Sequence, residues 1–135
     1  MIRNRVPDPK KARSLVAAAI ADMAFIRTIP PTLAASTTII RSVYENFRML
    51  GEALLTSEGK EATGLDHHTE MIDHLIGLRI VTERPLLLLN ELRRIRNNIN
   101  YNGYIPTKLE LDSVLSFTDA LWTPLLEEVK RLIKY

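Results

Sequence analysis

Ile40-Arg41-Ser42-Val43-Tyr44-Glu45-Asn46-Phe47-Arg48-Met49-Leu50-Gly51-Glu52-Ala53-Leu54 is the stretch that decides the fold. Its apolar residues Ile40, Val43, Phe47, Leu50 and Leu54 are spaced three, four, three and four. That is the seam of a helix packing along its whole length against other helices. A helix from about Thr32 to Ser57 is expected here. Gly51 lies inside it, where glycine costs about 1 kcal/mol relative to alanine, so a close helix contact is expected at that point.

The same period recurs on both sides. Asp8-Pro9 reads as an N-cap followed by proline at the first helical position. Leu15, Val16, Ala19, Ile20, Met23 and Ile26 form the stripe of a first helix, closed by Pro30-Pro31. Asp66 is the expected cap of a short helix over residues 67–76, with Met71, Ile72 and Leu75 turned inward and Gly77 as its stop. Thr82 is the expected cap of a fourth helix, with Pro85 in its first turn and Leu88, Leu92, Ile95 and Ile99 on one face. That helix should end near Asn102-Gly103. Thr107 and Glu110 form a capping box for a fifth helix, through Leu111, Val114, Leu115, Leu121, Trp122, Leu125, Val129 and Leu132, which Pro124 should kink or split. No strand pattern competes. The expected fold is all-α, a single-domain antiparallel bundle of four main helices plus one short helix, with about three-quarters of the chain helical.

Composition narrows the function. The chain has 135 residues, 46% hydrophobic and 25% charged, with a net charge of +2. This fits one globular domain with no global field demanding a nucleic acid. Basic residues gather at 1–13 (Arg3, Arg5, Lys10, Lys11, Arg13) and at 79–96 (Arg79, Arg84, Arg93, Arg94, Arg96), with an acidic stretch at 45–73 between them. Such polarity can steer an anionic partner to one face, although solvated helix faces are the simpler reading. The absence of cysteine excludes disulfides and thiolate chemistry. No segment approaches the ~20 apolar residues of a membrane span. The run from Leu15 to Ile26 is too short and sits behind Pro7 and Pro9, so no signal peptide is read, and the expected location is the cytoplasm.

Residues 88–101 carry the chemistry. At about 100° per residue, Arg93, Arg96, Asn97 and Asn100 form a stripe beside the apolar face. Guanidinium groups fork onto phosphate, and amides donate to it or read a base edge. Tyr101 and Tyr104 follow, with rings that stack on bases. The macrodipole also favours arginine near a helix C-terminus, which accounts for part of the pattern without any ligand. Glu45 and Glu52 lie off the apolar seam of the second helix, where such acids either pair with Arg96 or Arg93 or face solvent. His67, Glu70 and His74 share a helix face with Asp73 nearby. The usual zinc spacings are absent, and a polar helix start is the simpler reading, so neither a metal nor another cofactor is expected. Ser36, Thr37 and Thr38 lack the context of a nucleophile, and there is no P-loop or dinucleotide fingerprint.

The run Leu92-Arg93-Arg94-Ile95-Arg96-Asn97-Asn98-Ile99-Asn100-Tyr101-Asn102-Gly103-Tyr104 resembles the signature helix of the HEPN-domain family, small helical bundles of bacteria and archaea. That signature is an Arg, often followed by Asn, with a His four to six residues on. Arg96-Asn97 matches its first half, and Tyr101 stands where His falls in the commonest spacing. Residues 42–55, the glycine-containing loop and the helix start at Asp66-His67-His68 followed by Leu75 fit the same resemblance, which spans residues 33–104. The resemblance implies a homodimer with two motifs meeting at one cleft, and metal-independent RNase or toxin chemistry in which Arg holds the scissile phosphate and His acts as general base. It also implies a minimal nucleotidyltransferase as partner, which in some pairs attaches AMP to a Tyr near the place of Tyr104. A phenol is a poor general base at neutral pH. Three readings follow: an RNase using Arg96, Asn97 and Tyr101; a non-catalytic module holding RNA, a nucleotide or a partner through Arg93, Asn100, Tyr104, Glu45 and Glu52; and a purely structural dimerising bundle.

Overall fold

The protein is described here by a computed structural model covering residues 1–64 and 67–135. Its elements are β1 (Ile2–Asn4), α1 (Pro9–Ile26), α2 (Ser36–Ser57), β2 (Lys60–Ala62), α3 (His67–Ile76), α4 (Leu88–Asn102) and α5 (Lys108–Ile133), with a 3-10 turn, Leu33–Ala35, before α2. About 70% of the chain is helical, an all-α fold.

The local signals act as read. The Asp8 carboxylate accepts from the Lys11 amide at 3.0 Å, and Pro9 begins α1. Gly103 ends α4 in the left-handed region at φ 64°, where a Cβ would be strained. Thr107 and Glu110 cap α5 reciprocally. The expected cap at Asp66 lies outside the described residues, as do the side chains of His67 and His68.

α2 is the axis of the bundle and touches each of the other four helices. Ile40, Val43, Phe47, Leu50 and Leu54 are all buried, and Phe47 meets Trp122 of α5 edge-on, with ring centroids 5.3 Å apart. Gly51 explains itself: a Cβ there would lie 2.2 Å from the Met71 carbonyl oxygen, so the backbone of α3 rests directly on α2.

Several expectations need correction. α2 is preceded by a 3-10 turn with Thr32 as its cap, Oγ1 accepting from the Ala35 amide at 3.3 Å, so the α-helix starts four residues later than read. The Thr82 hydroxyl donates to the Arg84 carbonyl at 2.6 Å and closes a turn, and α4 begins only at Leu88. Pro85 disfavours helical geometry at Arg84, so the helix cannot run back through it. The face α4 buries accordingly holds Leu89, Leu92, Ile95 and Ile99, with Leu88 only half-buried. A two-stranded antiparallel ribbon is also present, pairing Ile2 with Ala62, Arg3 with Glu61 and Asn4 with Lys60. Its first strand is exposed at every residue, so no apolar alternation announced it. α5 is one helix through Pro124, so it is not split there; Pro124 sits at a partly exposed position between the buried Trp122 and Leu125. At the end of α5 the buried residue is Ile133, and Leu132 is exposed.

Gly51→Ala should lower unfolding stability by about 2 kcal/mol or more, because helix backbone cannot yield to a methyl group as a side-chain tip can. Chemical denaturation measures this, and a variant as stable as the wild type would remove the close contact as the reason for glycine at this position.

Candidate functional site

α4 presents its polar residues to two separate surfaces. On one flank α2 runs beside it. The Arg96 guanidinium lies 4.6 Å above the centre of the Tyr44 ring, and its Nη1 donates to Asn97 Oδ1 at 2.9 Å. One turn further, Asn100 Oδ1 accepts from Arg41 Nε at 2.8 Å. Arg41, Tyr44, Arg96 and Asn100 line an open recess of about 500 Å³ together with Asp22, Glu45 and Asn46. The Tyr44 ring holds the face of the Arg96 guanidinium. Burial raises the Tyr44 phenol above its ordinary range against the pull of Arg96, Arg93 and Arg48, so it stays protonated at neutral pH.

The other flank is an open groove of about 860 Å³, lined by Arg93, Asn97 and Tyr101 together with Pro85, Leu87 and Leu88. Tyr101 is 76% exposed, and among the described residues no group hydrogen-bonds its phenol. Arg93 leans toward Asp73 of α3 at 3.9 Å. Arg96 and Asn97 are thus in contact yet look onto different surfaces, since successive residues of a helix are about 100° apart.

Glu45 and Glu52 do not meet Arg96 or Arg93. Both bind Arg48 on their own helix, Glu45 accepting from Nε at 2.9 Å and Glu52 from Nη1 at 2.8 Å. The i+3 and i+4 spacing places the three on one face, and the two carboxylates raise the Arg48 pKa further. Glu52 and Arg48 border a different basin, with Lys11, Lys60 and Arg5. Tyr104 also lies elsewhere: its phenol donates to Glu110 in the cap of α5. That hydrogen bond raises the Tyr104 phenol above its ordinary range. The residues that the α4 stripe did not announce are Arg41, Tyr44 and Asn46. The signal for the first two is the i, i+3 relation of Arg41 to Tyr44, which turns both to one side of α2; Asn46 has no such signal.

Among the described residues no cluster of three or more His, Asp or Glu could hold a metal ion. Nor is any helix among them long and apolar enough to cross a membrane. No family model, curated protein or solved structure matches this chain.

The α5 cap gives a pH-dependent stability. Partial burial pushes the Glu110 carboxyl up, but hydrogen bonds from the Thr107 amide, the Tyr104 phenol and the Thr107 hydroxyl, with Arg94 nearby, bring it below its ordinary value. A carboxylate lowered by folding stabilises the fold above its unfolded pKa and loses that contribution as pH falls through the folded one. Glu110→Gln should therefore melt below the wild type at pH 7, and the two melting curves should converge as pH falls below the ordinary carboxylate range. A gap that persists unchanged in acid would show that Glu110 acts through packing rather than charge.

Proposed function

We propose that this chain is an HEPN-like protein that binds RNA or a nucleotide through α4, and that it is a weakened or inactive relative of the HEPN ribonucleases. The observation that carries this reading is the preorganised guanidinium of Arg96, seated on the Tyr44 ring and tethered to Asn97, with a second guanidinium, Arg41, held by Asn100 in the same recess. Guanidinium groups whose rotamers are already set lose little entropy on meeting a phosphate and present forked donors to it. Weak or absent catalysis follows from Tyr101, an exposed phenol that lacks any described hydrogen-bond partner to take up its proton.

Self-association belongs to the same reading. Leu87 and Tyr101 are both exposed and border one groove with Leu88 and Pro85. A two-fold contact along α4 would cover these apolar groups and bring the Arg93, Asn97 and Tyr101 of two copies together, since an isologous interface repeats each residue across its axis. A cytoplasmic site of action and a minimal nucleotidyltransferase as protein partner complete the proposal.

RNA binding and cleavage with EDTA present, in the wild type, Arg96→Ala and Tyr101→His, test it. The expected result is RNA binding by the wild type without cleavage, about tenfold weaker binding by Arg96→Ala, and no cleavage in Tyr101→His, whose side chain lies on the groove across α4 from Arg96. Wild-type cleavage abolished by Arg96→Ala would instead make the chain an active metal-independent ribonuclease with Tyr101 in its mechanism. RNA ignored by all three would leave the structural bundle.

A further inference from the structure

Neither flank of α4 is lined by any of the basic residues at 1–13, which accompany the ribbon strand β1. The hydrogen bonds at the two ends of the ribbon fix which edge of β1 is used. The Thr63 amide donates to the Met1 carbonyl at 2.7 Å, and the Arg5 amide donates to the Gly59 carbonyl at 2.7 Å. Hydrogen-bonded pairs in an antiparallel ladder recur at every second residue, so Met1, Arg3 and Arg5 turn their backbone groups toward β2. Ile2 and Asn4 turn theirs the other way. Among the described residues β2 is the only strand beside β1, and β1 is exposed at every residue. The N–H and C=O groups of Ile2 and Asn4 therefore line an open edge. The missing side chain at Gly59 lets the ribbon close behind it: a Cβ there would lie 2.6 Å from the Arg5 carbonyl oxygen.

The two faces of this edge differ. Side chains alternate along a strand, so Arg3 and Arg5 share one face and Ile2 and Asn4 the other. Arg3 and Arg5 both donate to one oxygen, Glu61 Oε2. A single carboxylate leaves the two guanidinium groups with net positive charge, and both side chains are more than half exposed. Nearby in sequence, Lys10, Lys11 and Arg13 are also exposed, and Asp8 is engaged by the Lys11 amide at the cap of α1. On the opposite face Ile2 is 43% exposed. An open row of backbone donors and acceptors fits another extended polypeptide. A second copy of β1 would bring its own arginines to the face that already carries these, and like charges oppose that pairing.

We propose that β1 is a docking edge for an acidic, extended segment of a protein partner, which adds to the ribbon as a third, antiparallel strand. Its backbone exchanges hydrogen bonds with Ile2 and Asn4. Its residue opposite Arg3 is acidic and stands in a non-hydrogen-bonded pair, where side chains come closest. Its alternate side chains are apolar and lie on the Ile2 face. The assignment is independent of the nucleotide or RNA reading of α4.

NMR titration of the full chain with two capped hexapeptides tests it, one alternating valine with glutamate and one alternating valine with lysine. The proteins are the wild type, Arg3→Glu and Asn4→Pro, each first checked for an unchanged melting curve. The glutamate peptide should bind the wild type about tenfold or more tighter than the lysine peptide, and should slow hydrogen exchange at the Ile2 and Asn4 amides. Arg3→Glu should reverse the preference between the peptides. Asn4→Pro removes an N–H that points away from β2, so the ribbon is kept while the glutamate peptide binds about fivefold or more weaker. Equal affinity for the two peptides overturns the acidic partner. Binding untouched by Asn4→Pro, or without protection at Ile2 and Asn4, overturns strand addition. If the glutamate peptide fails to bind while RNA binding is lost in Arg3→Glu, the basic stretch serves a nucleic acid and the docking edge falls. If the glutamate peptide binds as described and RNA is ignored, the docking edge stands without the reading of α4.

Discussion

The close contact between α2 and α3 at Gly51 sets the geometry from which much of the molecule follows. With no Cβ at that position, the Met71 carbonyl settles onto the α2 backbone. Met71, Ile72 and Leu75 are thereby buried, and Met71 also receives Arg48 Nη1 at 3.1 Å on its sulfur. α3 in turn brings Asp73 within reach of Arg93 on α4. One missing methyl group on the central helix thus helps set where the chemically active helix lies.

α2 also organises the polar surface. Its seam is committed to the core, while Arg41, Tyr44, Glu45, Arg48 and Glu52 flank it. The Arg48 side chain is 14% exposed and is bracketed by two carboxylates one turn away on either side. A guanidinium buried to that extent needs such pairing, since an unpaired charge there would be strongly unfavourable. The consequence for function is indirect. Glu45 is bound to Arg48 rather than to Arg96. Local i+3 and i+4 pairs form without any tertiary adjustment, which is why they displace the cross-helix pairing that the acidic and basic stripes invited.

Much of the architecture was legible residue by residue. Asp8-Pro9, the three-and-four spacing from Ile40 to Leu54, Gly103 and the Thr107–Glu110 box are short-range signals, and each acts within a turn or two of its own position. The ribbon of β1 and β2 was not legible, since three exposed residues at the chain start have no period to read. It is held by pairing across a long sequence separation and by Arg3, which donates to Glu61 at 3.0 Å. The start of α4 was misread because Thr82 satisfies a turn as readily as a helix cap, and the restriction that Pro85 places on Arg84 decides between them.

By itself, the sequence determined an all-α chain, several of its helix ends, most of the residues on the inward faces and the composition of the α4 stripe, because these depend on period, capping and charge along a local segment. Tertiary structure decided how that stripe is divided. Arg96 and Asn100 were joined to Arg41 and Tyr44, and Asn97 and Tyr101 were left on an open groove, because α2 covers one flank of α4 and not the other. It also brought Asp22 to Asn46, 24 residues apart, a contact that no spacing along the chain could reveal. Periodicity tells which way a side chain points from its own helix axis; which neighbour it then meets depends on how whole helices pack, and that is settled by the fit of surfaces distant in sequence.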